Sequence, residues 1–435
     1  MENKKCKIST RDATIGMYVT HLDRPWDQTP FPVQGFYIRD LSQIQQLRAH
    51  CQYVVVDIEK GSASLDIPPD SLQKNNVFPH IKLTPIKADT NVYKVNDSIN
   101  TEIVAAQKAY DKMLAETSIL MDQAETHNLL SISQIKNAAR DMVDTIVRHP
   151  DAFMWITRMR SGNDSPTHYL VRVAMWAVLL GRHLGLPRGH LNVIALGISL
   201  KDVGKALFPK NMRDKRDFQP AYITKSVEIL HNIPSLNPKV INLVKTHCER
   251  INGSGIPQGL RGDDIDLLGK IAGIASFYDE VLYPDNAEYA LSPSQAVSRL
   301  YEKRGVEFQH DLVVEFIRAI GLYATGTLVE LSTHEIGIVV EQNSHRRLQP
   351  KVMMILDAEK KPLKKVSILD IYEHDRRRQK MIDVKKKRAI EKLEIIQDVE
   401  YEMYDLELDG LREQFVRMIN EKKSLFSFLK KQARH

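Results

Sequence analysis

The sequence predicts a mainly α protein: a helical bundle with a small N-terminal α/β domain, a short antiparallel β appendage and a charged helical C-terminal tail. Three observations carry this reading. Between residues 98 and 322 apolar residues recur at three-and-four spacing, and the breaks fall mostly at Gly or Pro. After Gly321 the pattern changes to short β-branched runs separated by turn residues. From Arg376 onward charge dominates.

With 435 residues, 43% hydrophobic and 27% charged, the chain has an ordinary composition and length for two or three domains with proper cores. The start, Met1-Glu-Asn-Lys-Lys-Cys-Lys, lacks the apolar run of a signal peptide, and apolar stretches such as Val173–Leu180 are too short to span a bilayer. A cytoplasmic protein without a membrane span is the expectation. Cys6, Cys51 and Cys248 lie far apart with no CxxC spacing, which fits a reducing compartment. A net charge of +6 is modest and unevenly placed, so it does not by itself make a nucleic-acid binder.

Residues 7–60 read as the small α/β domain. Ile15-Gly-Met-Tyr-Val19 is extended, Leu41–His50 is helical and Tyr53–Asp57 is a β-branched strand, with Trp26, Phe31 and Phe36 in the core. Residues 61–97, with Pro68, Pro69, Pro79 and Pro85 and little periodicity, read as a linker. The helical region is 98–322. It opens with a helix bearing Ile103, Ala106, Tyr110 and Met113 and a second bearing Ile135, Ala138, Met142 and Ile146. From about 150 the expected helices are Phe153–Met159, His168–Leu184, His190–Lys201, Ile223–Ile233, Pro238–Cys248, Leu267–Leu282, Ser292–Lys303 and His310–Leu322. Strands at Gly326–Leu331, Ile336–Val340 and Lys351–Leu356 form the β appendage, 323–360. The tail, 361–435, carries basic blocks at Arg376–Arg378 and Lys385–Arg388, an acidic stretch at Asp398–Asp409 and an apolar end at Leu425–Leu429.

The most chemically legible stretch is 245–262. His247 closes an apolar helical pattern beside Cys248, Glu249 and Arg250, and Gly253, Gly255, Gly259 and Gly262 let the following backbone turn sharply. Upstream lie Asp164 and His168, four residues apart, and Asp202 within Leu200-Lys-Asp-Val-Gly-Lys205. Imidazoles and carboxylates in such an array suit a metal cluster that polarises a phosphate and supplies hydroxide near neutral pH. By itself such a cluster is more often structural than functional.

Asn252-Gly-Ser-Gly-Ile-Pro-Gln-Gly-Leu-Arg-Gly-Asp-Asp-Ile265 resembles the signature of the HD-GYP domain, the bacterial branch of the HD phosphohydrolase superfamily that hydrolyses cyclic di-GMP. The resemblance covers roughly 150–345, and 7–60 is similar to the small domain often fused to it. An HD-type helical bundle is therefore implied. The resemblance keeps the family's ligand positions at Asp164, Asp202, His247 and Asp279, and places four further ligand positions on Lys201, Tyr222, Cys248 and Ser276. At those four the family's His, His, His and Asp are missing, and the Tyr of Gly-Tyr-Pro has become Ile256. Asp279, the second aspartate of the Asp-x-x-Asp element, is kept, and Asn286–Ala290 replaces the basic pattern that follows it.

An ammonium has no lone pair for a metal, and neutral Tyr and Ser are poor ligands. Three classes of function follow. The first is a degenerate, catalytically impaired HD-GYP protein, a regulatory or scaffold module in cyclic di-GMP signalling, with no cofactor. In it Lys201 supplies a fixed charge beside Asp202, and Lys205, Arg250, Asn252, Gly253, Gly255 and Arg261 form the ligand-binding set. Its implied partners are cyclic di-GMP and diguanylate cyclase domains. The second is a surviving phosphodiesterase with Zn, Mn or Fe held by His168, Asp202 and His247, Asp202 being the catalytic residue. The third, ranked last, is an adaptor whose basic tail meets nucleic acid or a membrane surface.

Overall fold

The computed structural model describes residues 5–15, 17–24, 29, 31, 36–38, 41–57, 81–95, 99–126, 130–160, 165–209, 218–234, 236–284, 290–343, 346, 348–385, 392–404 and 406–419. Trp26, Asp164, most of Asn286–Ala290 and the Leu425–Leu429 end lie outside the described residues.

The N-terminal unit is a four-stranded antiparallel sheet in the order β1-β4-β2-β3, from β1 (Lys5–Ser9), β2 (Tyr18–Leu22), β3 (Phe36–Tyr37) and β4 (Tyr53–Asp57), with α1 at Leu41–His50. Two strands around a helix were expected, so β1 and β3 are additions. The first of them, Lys-Cys-Lys-Ile-Ser, is an edge strand whose polar composition hides it from a search for apolar runs. Phe31 and Phe36 stack at 4.7 Å and are buried, as their composition suggested.

The helical region follows the apolar periodicity closely. Its members are α2 (Ile99–Glu125), α3 (Ile132–Arg148), α4 (Pro150–Arg158), α5 (Pro166–His183), α6 (Arg188–Leu200), α7 (Phe218–His231), α8 (Pro238–Thr246), α9 (Leu267–Leu282), α10 (Pro293–Glu302) and α11 (His310–Ile320). Local chemistry sets the ends. Ser165, Asn237 and Asp266 accept from the backbone N–H groups of His168, Lys239 and Gly269, and Ser292 with Gln295 forms a capping box. At the end of α11 the chain stops at Gly321, in the left-handed region at φ 78°.

The β appendage is larger than the sequence indicates. It is a five-stranded antiparallel sheet in the order β8-β7-β6-β5-β9, from β5 (Leu328–Leu331), β6 (Ile336–Glu341), β7 (Lys351–Leu356), β8 (Pro362–Asp370) and β9 (Ile395–Asp398). Strands β8 and β9 correct the expectation of an all-helical tail from residue 361. Both are sheet edges facing water, so lysine and acidic residues interrupt the apolar signal there. Helix α12 (Ile371–Lys385) lies between them in sequence, and its Arg376 and Arg378 pair with Glu373 and Asp375 of the same helix. No helix among the described residues is long and apolar enough to cross a membrane.

Residues 81–95, read as part of a linker, have no regular secondary structure yet are bonded to the helical core. Thr84 donates to Asp263, the Ile86 N–H donates to Asp311, and Tyr93 donates to the Leu186 carbonyl.

Candidate functional site

The polar centre forms where α6 ends. Lys201 caps the helix and Asp202 opens the 3-10 turn Val203–Leu207. Gly204 is required there: a Cβ would stand 2.3 Å from the Tyr222 carbonyl oxygen and 2.5 Å from the Ser226 nitrogen. Ser226 accepts from the Gly204 N–H at 2.8 Å and donates to the Lys201 carbonyl at 3.0 Å, fixing α7 against the turn. Tyr222 is thereby brought beside Lys205.

Two ammonium groups share one carboxylate oxygen. Lys201 Nζ lies 3.2 Å and Lys205 Nζ 3.0 Å from Asp202 Oδ2, while Asp202 Oδ1 is buried without a hydrogen-bond partner. Lys201 also donates to Tyr169 Oη at 3.1 Å, and Tyr169 donates to Glu280 at 3.0 Å, roofing the site. Lys205 Nζ sits over the Tyr222 ring, 4.6 Å from its centroid. Lys201 is 1% exposed, Asp202 4% and His247 1%. Burial alone raises the Asp202 carboxyl pKa, but Lys201 and then Lys205 outweigh it and hold the group well below the usual carboxylate range.

His247 Nδ1 lies 2.7 Å from the Val244 carbonyl oxygen, which only accepts, so Nδ1 carries the proton and the buried, unpartnered Nε2 holds the lone pair. Burial first, then the Lys201 ammonium, pushes His247 down to about 3. Burial raises the Cys248 thiol and the Tyr222 and Tyr169 phenols, so all three are protonated at neutral pH.

These donors do not fit a metal. Asp202 Oδ1 and His247 Nε2 offer lone pairs, but Lys201 places a cation between Tyr169 and Asp202. His168 Nδ1 lies 2.7 Å from Ser165 Oγ, and its ring is stacked 6.4 Å from Tyr110. Among the described residues no three His, Cys, Asp or Glu side chains converge on a common point. The expected set of His168, Asp202 and His247 is therefore not assembled. Ser276 Oγ is buried without a partner on α9.

The 252–262 turn is built from inside. Glu249, buried, accepts from the Gln258 N–H at 2.7 Å and the Leu260 N–H at 3.0 Å. Asn252 bridges to Arg261 across the mouth and accepts from Ser254. Gly253 has φ 81°, and a Cβ at Gly255 would meet the Arg250 nitrogen at 2.3 Å. Of the cations expected to meet phosphate, Lys205 is taken up by Asp202. Arg250 lies over Phe308 at 4.8 Å, near Glu307, and exposed Arg261 crosses Gly253.

One residue the sequence reading overlooked is Arg172. It forks onto Asp279, with Nε 3.0 Å from Oδ1 and Nη2 3.0 Å from Oδ2, and Trp176 Nε1 donates to Oδ1 at 2.9 Å. Burial raises the Asp279 carboxyl above its ordinary range, against these donors, which favour the ion. The available signal was an arginine inside the apolar run Leu170–Leu180.

Residues 160–312 match the family model described as "HD domain", and residues 5–135 match one described as "Domain of unknown function (DUF3391)". The polar centre at Lys201–Asp202, His247 and the 252–262 turn all fall inside the residues that match the HD domain. The DUF3391 match takes in the N-terminal sheet, all of α2 and the first residues of α3.

Among curated proteins, the cyclic di-GMP phosphodiesterase PA4108 of Pseudomonas aeruginosa is 23% identical over 369 residues, 82% of this chain and 86% of that one. The cyclic di-GMP phosphodiesterase response regulator RpfG of Xanthomonas campestris pv. campestris is 24% identical over 207 residues, 45% of this chain and 51% of that one. A solved structure, Bd1817, a HDG"Y"P protein from Bdellovibrio bacteriovorus, aligns at TM-score 0.42 and 17% identity, covering 72% of this chain and 98% of that one.

Proposed function

We propose that this HD-domain protein is a catalytically impaired regulatory or scaffold module in bacterial cyclic di-GMP signalling. The ligand class is supported by its relatives, which are named as cyclic di-GMP phosphodiesterases. The single observation behind the impairment is the Lys201 ammonium, 1% exposed and bonded to Asp202, where the resemblance puts a ligating histidine. A fixed cation there supplies charge to the carboxylate but cannot activate water. On this reading the 252–262 turn, with Arg261 exposed on it, is the surface that meets the nucleotide or a diguanylate cyclase domain.

An active metal-dependent phosphodiesterase is the second reading. It is favoured by the unpartnered lone pairs of Asp202 Oδ1 and His247 Nε2. Elemental analysis of the purified protein, paired with a cyclic di-GMP turnover assay in added manganese, separates the two. The impaired module carries far less than one metal per chain and does not turn the nucleotide over. Near-stoichiometric iron, manganese or zinc, with turnover abolished by Asp202→Ala, establishes the second reading instead. Calorimetric titration of cyclic di-GMP into wild type and Arg261→Ala then tells nucleotide sensing from scaffolding.

A further inference from the structure

Asp263, just beyond the 252–262 turn, is gripped from two sides. Its Oδ2 accepts from both the N–H and the Oγ1 of Thr84, each at 2.8 Å, and its Oδ1 meets Lys270 Nζ of α9 at 2.8 Å. Its own N–H donates to the Lys82 carbonyl at 3.2 Å. Gln309, 3% exposed, ties the same two partners together: Nε2 donates to the Thr84 carbonyl at 2.8 Å and Oε1 accepts from Lys270 at 3.1 Å. One residue earlier, Gly262 has φ 54°, and a Cβ there would stand 2.6 Å from the Lys82 oxygen and 2.7 Å from Ile81. The segment 81–84 therefore lies directly against the exit of the turn.

Its far end is anchored as firmly. The Asp89 N–H donates to the Leu184 carbonyl at 3.3 Å, Arg182 donates to the Tyr93 carbonyl at 3.0 Å, and Tyr93 donates to the Leu186 carbonyl at 2.7 Å. Gly185, at φ 77°, would drive a Cβ to within 2.7 Å of the Asp89 oxygen. A polar, proline-bearing stretch without secondary structure thus satisfies its backbone on a surface shaped to receive it.

We propose that residues 81–93 act as a strap that sets the conformation of the 252–262 turn from the N-terminal side of the chain. The near end of the strap, residues 82–84, and the exit of the turn share one set of hydrogen bonds through Asp263, Lys270 and Gln309, while the far end is held separately at Leu184, Leu186 and Arg182, so a strap released at either end loosens its hold on the turn. The inference does not depend on whether the polar centre is catalytic.

Amide hydrogen exchange on the full chain tests it, comparing wild type with Thr84→Val and Tyr93→Phe. Thr84→Val removes the Oγ1 bond to Asp263 with little change of shape. Tyr93→Phe removes the bond to Leu186 at the opposite end and touches nothing in the turn. Each is expected to speed exchange at 252–264 about fivefold, the loss of one net hydrogen bond, while the amides of α6 stay unchanged. If Tyr93→Phe frees the amides of the strap but leaves 252–264 at the wild-type rate, the strap is passive packing and the inference is overturned. Uniformly faster exchange across α6 and the turn would overturn it equally, since it would report global loosening.

Discussion

Lys201 and Asp202, neighbours in sequence, meet as an ion pair at 3.2 Å in a site where each is less than a twentieth exposed. Two charges withdrawn from water at one point are tolerable only because each answers the other. Lys205 adds a second ammonium to the same carboxylate oxygen from a more exposed position.

Removing the inner cation alone should therefore cost more than removing both charges. Lys201→Met is expected to destabilise by about 3 kcal/mol or more, because Asp202 keeps its burial and loses its fully buried partner. The double variant Lys201→Met with Asp202→Asn should recover part of that loss. Urea unfolding of the three proteins gives the comparison directly. A single variant as stable as wild type would mean that Lys205 alone neutralises Asp202.

His247 adds a pH dependence whose direction is fixed by its burial and by Lys201. In the folded chain it stays neutral down to about 3, whereas in the unfolded chain it takes up a proton below its ordinary value near 6.5. Between those limits the unfolded state binds more protons, so stability falls as pH falls. The loss from this group amounts to about 2 kcal/mol at pH 5. Asp202, depressed in the folded state, contributes stability that is present above about pH 4 and lost below it, so it does not blur the pH 5 to 7 window. His247→Gln should flatten the dependence between pH 7 and 5. An unchanged slope in that variant would assign the proton uptake to another group.

The helices were legible because period and punctuation agree in them. Leu267–Leu282 has a continuous apolar stripe, Asp266 at its start and a break at Tyr283-Pro284, and the helix has the bounds the sequence indicated. Lys351–Leu356 is equally plain as a strand, being apolar and buried throughout after its first residue. What stayed hidden has its signal in pairing rather than in periodicity. Strands β8 and β9 exist by hydrogen bonding to β7 and β5, and their exposed faces carry the charges expected of a tail. Thr84 and Asp263 are 179 positions apart, and no local pattern announces that they meet. At the polar centre the identities of Lys201, Tyr222 and Cys248 were evident from the motif. The partners of His168 were not, because they depend on which neighbours its ring finds, and it finds Ser165 and Tyr110.

Arg172 and Asp279 join α5 to α9 behind the polar centre, and the geometry of that joint makes a conservative change informative. The guanidinium reaches both carboxylate oxygens in a planar fork and lies 4.1 Å from the Tyr283 ring centroid, with the pair 2% and 0% exposed. A lysine keeps the charge but offers a single compact donor group, so it cannot satisfy both oxygens and stack on the ring together. Arg172→Lys is expected to cost about 1–3 kcal/mol, the penalty of leaving a buried acceptor short of its donor. Asp279→Ala, which strands the guanidinium altogether, is expected to cost about 3–5 kcal/mol. Both should lower the urea midpoint at constant slope, since neither changes how much surface unfolding exposes. If Arg172→Lys proves as stable as wild type, charge alone holds α5 to α9, and the fork contributes nothing beyond it.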